Sequence, residues 1–474
     1  MNARIALSAA TVVNRRRGDF LRRITRTLGA LLMVPVLGGY VHQAMAHAKE
    51  YNVVGVTESV ELPGFTRESA KGLLAVNSKT AEFTLRLGTT TWNLAAACSN
   101  NVHKPRRCSR QFVRDAFESS EHIGGRFDQA PTGVLTFSVS DGTPTTFIGY
   151  RSPDNSFLVL TLERAGGTML LFAVERGSGV ASEPLAHALW GQYALHARTA
   201  TFPRLLPSVG SSWDSYRSAM RNGSLVIGPG GFFGREASSA MTLRLHCSAA
   251  GAQCPWATGE HLSTLAEPRP FFGAWRAARS GEVVLMHRSV KTQDAWRGAA
   301  TRDGDLLAML EPGARSGADS LVLALRKPRD MSNASLQGTY NAVALEEFFD
   351  SDSGIRHARV LGPLDLDGGT TWAFTGTDAA TKRSECASHD AGVCNAGVTG
   401  RTVAGGAGGT YHVSADGDVS LTGLAGDNTP REFIGNATAD GSLIVMRRLG
   451  DGVACSFDCT GTQSFRSIIV AVRR

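Results

Sequence analysis

Residues 147–160, FIGYRSPDNSFLVL, recur twice further along the chain, as WRGAATRDGDLLAM at 296–309 and FIGNATADGSLIVM at 433–446. In all three segments an aspartate follows a glycine by five positions, and a run of four apolar residues begins three positions after that aspartate. Similarity that returns at a regular interval indicates a repeated structural unit. The sequence therefore predicts three copies of one unit.

The ends of each copy are also alike. Each copy opens at a tyrosine and closes with an apolar run that contains one alanine and finishes in charge; the tyrosines are Tyr51, Tyr193 and Tyr340, and the closing runs are LLFAVER at 170–176, LVLALRK at 321–327 and IIVAVRR at 468–474. The opening tyrosines are 142 and 147 residues apart. We expect β-repeats at residues 47–183, 184–333 and 334–474, with boundaries near Gly179 to Pro184 and Pro328 to Ser335, where turn residues are frequent.

The pattern within a unit is that of strands. Apolar and polar residues alternate with a period of two, as in EFTLRL at 82–87 and LTFSVS at 135–140. Asp-Gly and Asp-Asn pairs between such runs favour tight hairpin turns. Helix-like spacing is confined to short segments such as Phe112 to Phe117, so an α/β fold with a parallel sheet is excluded. We predict an all-β chain of three tandem antiparallel barrels or sandwiches of about eight strands each; the alternative is one six-bladed β-propeller.

The first 46 residues have the composition of a signal peptide. Seven arginines precede an apolar run from Leu28 to Val41, and small residues follow at Ala44, Ala46 and Ala48. We expect an exported chain that begins at His47 or Lys49 and is periplasmic, at the cell surface or secreted. The run is short for a membrane-spanning helix, so no span is predicted in the mature chain, although an uncleaved anchor is the alternative.

Composition excludes two broad classes of protein. In the 474 residues, 42% are hydrophobic and 19% are charged, which is typical of globular domains rather than disordered chains. The net charge of +7 belongs mainly to the first 46 residues, and the remainder has 42 basic and 41 acidic residues. Because a nucleic-acid-binding protein needs a concentrated basic face, no nucleic-acid partner is predicted.

The cysteines form four pairs of near neighbours. They are Cys98 with Cys108, Cys247 with Cys254, Cys386 with Cys394, and Cys455 with Cys459. An even number of locally spaced cysteines in an exported chain predicts four disulfides, each within its own pair. His103, His246 and His389 lie in or beside these loops, which raises zinc as the alternative. The cysteine spacings of ten, seven and eight are wider than in structural zinc sites, so no metal and no cofactor are predicted.

The sequence contains no motif that assigns a catalytic residue. Neither G-x-S-x-G, H-E-x-x-H nor a phosphate-binding G-x-x-x-x-G-K-[ST] occurs. The segments from Asp350 to Gly354 and from Asp365 to Gly368 have the acidic character of calcium loops, but they are better interpreted as turns. Trp92 and Trp372 are interpreted as core residues rather than as platforms for sugar rings.

These observations favour an exported bacterial binding or surface-associated protein that is not an enzyme. Repeated, disulfide-braced β-domains present similar faces several times, which suits a glycan or a protein at the cell surface as partner. Two alternatives stay open: an extracytoplasmic carbohydrate-active hydrolase, and a carrier with a small apolar ligand in the mouth of each barrel. The adjacent Glu346 and Glu347 do not form a catalytic carboxylate pair, because neighbouring strand residues face opposite ways.

Overall fold

The structure is a computed structural model, and it describes most of the chain after the predicted signal peptide. The described residues are 48–61, 64–96, 112–140, 146–163, 167–177, 182–201, 204–205, 213–247, 256–288, 295–311, 320–350, 354–376, 378–386, 394–402, 406–425, 430–449 and 464–474. Residues from Lys49 to Arg474 form one compact unit. The predicted signal peptide lies outside the described residues.

The first eight strands form a closed antiparallel barrel in which each strand pairs with the next and the eighth pairs with the first. They are β1 (Lys49–Glu61), β2 (Gly64–Asn77), β3 (Glu82–Ala96), β4 (Phe112–Gln129), β5 (Val134–Val139), β6 (Thr146–Arg151), β7 (Phe157–Glu163) and β8 (Gly167–Glu175). The short segment of helix-like spacing at Phe112 to Phe117 is part of a strand. These residues belong to β4 and pair continuously with β3, so the cross-strand pairing outweighs the local spacing.

The second barrel is closed by β9, which pairs with both β11 and β17. A short helix precedes β9, and the two-residue β10 pairs with the first two residues of β11. The elements are α1 (Ser182–Ala188), β9 (Gly191–Thr201), β10 (Arg204–Leu205), β11 (Trp213–Gly228), β12 (Gly231–Cys247), β13 (Trp256–Ala277), β14 (Glu282–His287), β15 (Ala295–Ala300), β16 (Leu306–Glu311) and β17 (Ser320–Arg326).

The third barrel closes through the pairing of β18 with β19 and β27, and the hairpin of β21 and β22 extends from β19 beside it. A 3₁₀ turn (Asn333–Leu336) leads into β18 (Gly338–Asp350), β19 (Gly354–Leu366), β20 (Thr371–Thr375), β21 (Asp378–Cys386), β22 (Cys394–Thr402), β23 (Gly406–Val413), β24 (Asp418–Ala425), β25 (Pro430–Ala437), β26 (Leu443–Leu449) and β27 (Ser464–Arg473). Three closed eight-stranded barrels confirm the predicted all-β fold, and the propeller alternative is wrong.

Each barrel is filled by its own side chains. In the first, Phe83, Phe137 and Phe147 meet edge to face, with ring centroids 5.0 to 6.5 Å apart. Trp296 is buried inside the second barrel and Trp372 inside the third. Packed interiors of this kind are typical of small barrels.

A separate apolar core lies between the barrels. It combines outward-facing residues of all three, such as Phe172 of β8, Leu323 of β17 and Val470 of β27. The same strands contribute Ala173, Ala324 and Ala471 to the barrel interiors. These closing strands are therefore buried on both faces, which explains why their sequences are continuously apolar instead of alternating.

The turn within each repeated segment has the same construction in all three barrels. Ser152, Thr301 and Thr438 each accept a hydrogen bond from the backbone N–H at the start of the next strand, at 3.0 to 3.1 Å. Asp154, Asp303 and Asp440 each accept the backbone N–H two residues later at 3.0 Å. Asn155, Gly304 and Gly441 occupy the position with a φ of 62° to 75°, a conformation that favours glycine and asparagine.

Candidate functional site

Two of the three junctions between barrels are closed by an equivalent asparagine. Asn52 of β1 donates its Nδ2–H to the carbonyl oxygen of Ser280 in the second barrel, at 2.7 Å. Asn341 of β18 makes the same bond to Thr132 of the first barrel, at 2.9 Å. Each asparagine directly follows the opening tyrosine of its repeat, and each acceptor directly precedes a turn glycine with a positive φ. The match shows a three-fold pseudo-symmetry in the way the barrels meet.

The third junction, between the second and third barrels, breaks this symmetry. The residue after Tyr193 is Ala194, which has no side-chain donor, and the equivalent turn of the third barrel is Asp416–Gly417. Pro328 packs against Gly417, where the asparagine amides lie at the other two junctions. A cleft of about 430 Å³ opens beside Ala194, between β9 and β11 of the second barrel and β23 to β26 of the third.

A chain of hydrogen bonds crosses the cleft. His196 Nε2 and Asn436 Oδ1 are 3.0 Å apart, and Asn436 Nδ2 donates to Asp418 Oδ1 at 2.6 Å. Lys327 Nζ donates to the same Asp418 oxygen at 3.3 Å. Since the amide nitrogen of Asn436 is engaged by Asp418, its oxygen faces the imidazole and His196 must carry its proton on Nε2.

His196 is held in its neutral form. Only 4% of this residue is exposed, and burial lowers the pKa of the imidazole to about 4, against the smaller opposing effect of its bond to Asn436. The equivalent positions in the other barrels are Val54 and Val343, both members of the apolar core between the barrels. A polar ring has therefore replaced an apolar contact at this junction alone.

Ten of the sixteen described residues that line the cleft are polar or charged. Its walls consist of Ala194, Leu195, His196, Asn222, Gly223, Ser224, Lys327, His412, Ser414, Asp418, Val419, Ser420, Ile434, Gly435, Asn436 and Arg447. Hydroxyl, amide, carboxylate and cationic groups supply both donors and acceptors. A base with a pKa of about 4 is weak at neutral pH, so His196 suits a binding role better than general-base catalysis.

The predicted disulfide cysteines are only partly covered by the structure. Cys98, Cys108, Cys254, Cys455 and Cys459 lie outside the described residues, and Cys247 ends β12. Cys386 and Cys394 are directly opposed in the register of β21 and β22. Opposed residues of an antiparallel pair are about 4.5–5.5 Å apart at Cα, which is within the range that a disulfide needs. Bridging stays a prediction.

Other residues considered from the sequence have structural roles. Trp372 is buried and donates its indole N–H to Thr422, which confirms it as a core residue; the side chain of Trp92 lies outside the described residues. Asp367 accepts the backbone N–H groups of Gly369 and Thr371, and these bonds lower its pKa, as expected of a turn. Among the described residues, no group of three acidic, cysteine or histidine side chains is arranged to hold a metal ion.

Glu347 belongs to a buried ion-pair cluster. Its carboxylate oxygens lie 3.8 Å from Arg198 Nη2 of the second barrel and 3.8 Å from His357 Nε2. Arg198 also donates to the carbonyl oxygen of Leu345, at 3.1 Å. A fully buried carboxylate needs such partners to offset its desolvation, so Glu347 is a structural group of the junction between the second and third barrels.

Sequence reasoning missed the residues of the cleft. A signal was available, because Ala194 and His196 differ from Asn-x-Val at 52–54 and at 341–343. The residues that face them from the third barrel could not be inferred, since Asn436 is 240 positions away from His196. Where the structure describes the chain, no helix has the length and apolar character needed to cross a membrane.

Comparisons with known proteins add little to this description. No protein-family model matches the sequence, and no curated protein matches it. Two crystal structures of mutants of the vaccine antigen transferrin binding protein B from Haemophilus parasuis are 8% identical to this chain, with TM-scores of 0.22 and 0.19, and the matches cover 90% of this chain and 76% of theirs. Transferrin binding protein B from serogroup B Neisseria meningitidis is also 8% identical, with a TM-score of 0.19, over 90% of this chain and 77% of the other. Likeness at this level supports no inference about function.

Proposed function

We propose that this chain is an exported, non-enzymatic binding protein whose cleft between the second and third barrels holds a carbohydrate. The observation that carries the proposal is the broken pseudo-symmetry. Two junctions are closed by an asparagine bond and apolar contacts, whereas the third has an open cleft that carries charged and hydrogen-bonding side chains. The departure of this one junction from the other two supports a specific ligand there, because a purely structural junction would follow the pattern of the other two.

The chemistry of the cleft suits hydroxyl groups. A sugar hydroxyl both donates and accepts hydrogen bonds, and Asp418, Asn436 and Ser420 offer acceptors and donors along one wall. Lys327 and Arg447 add two cations to the single carboxylate of Asp418 among the lining residues. The volume of about 430 Å³ is within the usual range of small-molecule sites, about 300–1,000 Å³.

The hydrolase alternative finds less support at this site. Glycosidases generally place two carboxyl groups on either side of the scissile bond. Among the described residues that line the cleft, Asp418 is the one carboxylate, and it is engaged by Asn436 and Lys327. The described lining residues therefore favour holding a sugar over cleaving one.

Ligand binding can be tested by saturation-transfer NMR with neutral, amino and acidic mono- and oligosaccharides. We expect signals from at least one sugar with the wild-type chain. Ser224→Trp places an indole at the wall of the cleft and should weaken binding at least tenfold. Ser120→Trp is the matched control, since Ser120 is an exposed strand serine of the first barrel. Absence of binding by every sugar, or equal affinity of Ser224→Trp and the wild type, would contradict the proposal.

The proposal also includes disulfides at the four cysteine pairs. We infer that each bridges its own loop and braces it outside the cell, as the export signal and the opposed Cys386 and Cys394 support. Peptide mapping without reduction should recover the four local cross-links and no cross-link between repeats. Stoichiometric zinc with free thiols would show that the pairs are metal sites instead.

A further inference from the structure

The outer wall of the second barrel carries a row of large exposed apolar side chains. Val226 of β11 is directly opposite Phe233 of β12, and Phe233 is directly opposite Phe272 of β13. Phe233 is 46% exposed and Phe272 54%, and Met286 of β14 lies diagonally beside Phe272. With strands about 4.8 Å apart, the three opposed side chains form a continuous stripe about 10 Å long. We call these four side chains the apolar row.

The other two barrels lack this row. Gly72, Gly223 and Gly362 mark the equivalent position in each barrel, where an added Cβ would lie 1.8 to 2.1 Å from a carbonyl oxygen of the next strand. In the second barrel, the residue three positions after this glycine is Val226, which begins the apolar row. The opposed residues at the same place are Ala75, Thr84 and Gly124 in the first barrel, and Asp365, Ala373 and Gly408 in the third. The apolar row is therefore not a requirement of the barrel fold, and its exposure needs a separate explanation.

Cationic side chains surround the apolar row. Among the side chains that the structure describes on the same outer faces of these strands, exposed arginines occur at four positions and Glu282 is the one exposed acidic residue; the arginines are Arg235, Arg276, Arg288 and Arg297. Arg288 lies next to Phe272 on the neighbouring strand, because its backbone N–H donates to the carbonyl oxygen of Phe272. Arg276 and Arg297 are the residues directly opposite Val284 on the strands at either side of β14. The charge of this set is +3, so a second copy of the same face would be repelled.

We propose that this face docks on the surface of an anionic lipid bilayer, with the apolar row inserted among the acyl chains and the arginines on the headgroup phosphates. The outer wall of a closed barrel is convex, and a bilayer accepts projecting apolar groups and pairs with cations on both sides of them. The inference stands independently of carbohydrate binding, because the apolar row does not line the cleft.

Co-sedimentation of the full exported chain with vesicles tests the proposal. We expect binding to phosphatidylcholine vesicles that contain phosphatidylglycerol, much weaker binding to phosphatidylcholine alone, and a decrease at high salt. Each arginine should contribute about fivefold to the partition coefficient, so Arg235→Gln with Arg288→Gln should weaken binding about 25-fold. Phe233→Ser with Phe272→Ser should weaken it at every salt concentration.

A matched control separates this face from exposed apolar residues in general. Leu424 of the third barrel is 51% exposed, and Leu424→Ser should leave vesicle binding unchanged. The arginine variants keep the test decisive if the double phenylalanine variant does not fold. Failure of the wild type to bind anionic vesicles, equal binding to neutral vesicles, or an equal loss with Leu424→Ser would overturn the proposal. If the chain binds a sugar but does not bind vesicles, the membrane proposal is wrong and the carbohydrate proposal stands.

Discussion

At the scale of single residues, His196 makes the stability of the fold depend on pH in a defined direction. Its pKa is about 4 in the folded chain and about 6.5 when exposed, so the unfolded chain binds more protons between these values. Stability should therefore fall as the pH decreases from 6.5 towards 4, by about 2–3 kcal/mol at pH 4.5. His196→Val, the residue at positions 54 and 343, should remove this part of the pH dependence. Urea denaturation at pH 7 and pH 4.5 measures it, with the exposed His187→Gln as control. Equal pH dependence of His196→Val and wild type would contradict the assignment.

The sequence alone shows that His196 departs from the repeat pattern, but not what the departure does. Its meaning depends on Asn436 and Asp418, which pack against it from another barrel. Local periodicity reports which face of a strand is buried, and it carries no information about which distant strand covers that face. Residue-level function in this chain could therefore be suspected from the sequence and located only in the structure.

At the scale of elements, the repeated turns were the most predictable part of the fold, because their chemistry is local. A serine or threonine, an aspartate two residues later and a residue suited to positive φ are enough to specify them. The hydroxyl should also contribute measurably to the free energy of unfolding. Thr301→Val and Thr438→Val should each cost about 1–3 kcal/mol, since the buried N–H groups of Leu306 and Leu443 lose their acceptor. Chemical denaturation should show similar losses for both, and almost none for the exposed Thr375→Val. A neutral effect at either turn would mean that water replaces the hydroxyl.

Elements that depend on distant partners were not predictable in the same way. The hairpin of β21 and β22 extends beside the third barrel, and the first half of β4 has a short segment of helix-like spacing in the sequence. These strands are fixed by pairing with their neighbours. A short apolar cluster in the sequence does not distinguish a helix from a strand. The β-class and the strand number followed from hairpin signals, whereas these extensions required the register.

At the scale of the whole molecule, the apolar core between the barrels joins three units that the sequence presents as a tandem array. The continuous apolar runs of the closing strands are typical of strands buried on both faces, so the sequence indicated a second covering layer. The sequence did not indicate that the outer faces of the three barrels cover one another. The predicted boundaries near 179–184 and 328–335 stay a proposal about chain segments, and they need not be boundaries of stability.

The common core predicts that the three barrels lose stability together. Leu323 of β17 is fully buried among residues of all three barrels, and Leu323→Ala should cost about 2–5 kcal/mol of the free energy of unfolding. Hydrogen exchange measured by mass spectrometry should then show faster exchange in β8 and β27 as well as in β17, because the strands share one contact surface. Leu285→Ala is the control, since Leu285 packs only inside the second barrel and should affect β9 to β17 most. If Leu323→Ala also accelerated exchange in the second barrel alone, the barrels would be independent domains that merely touch, and the shared core would contribute little to cooperativity.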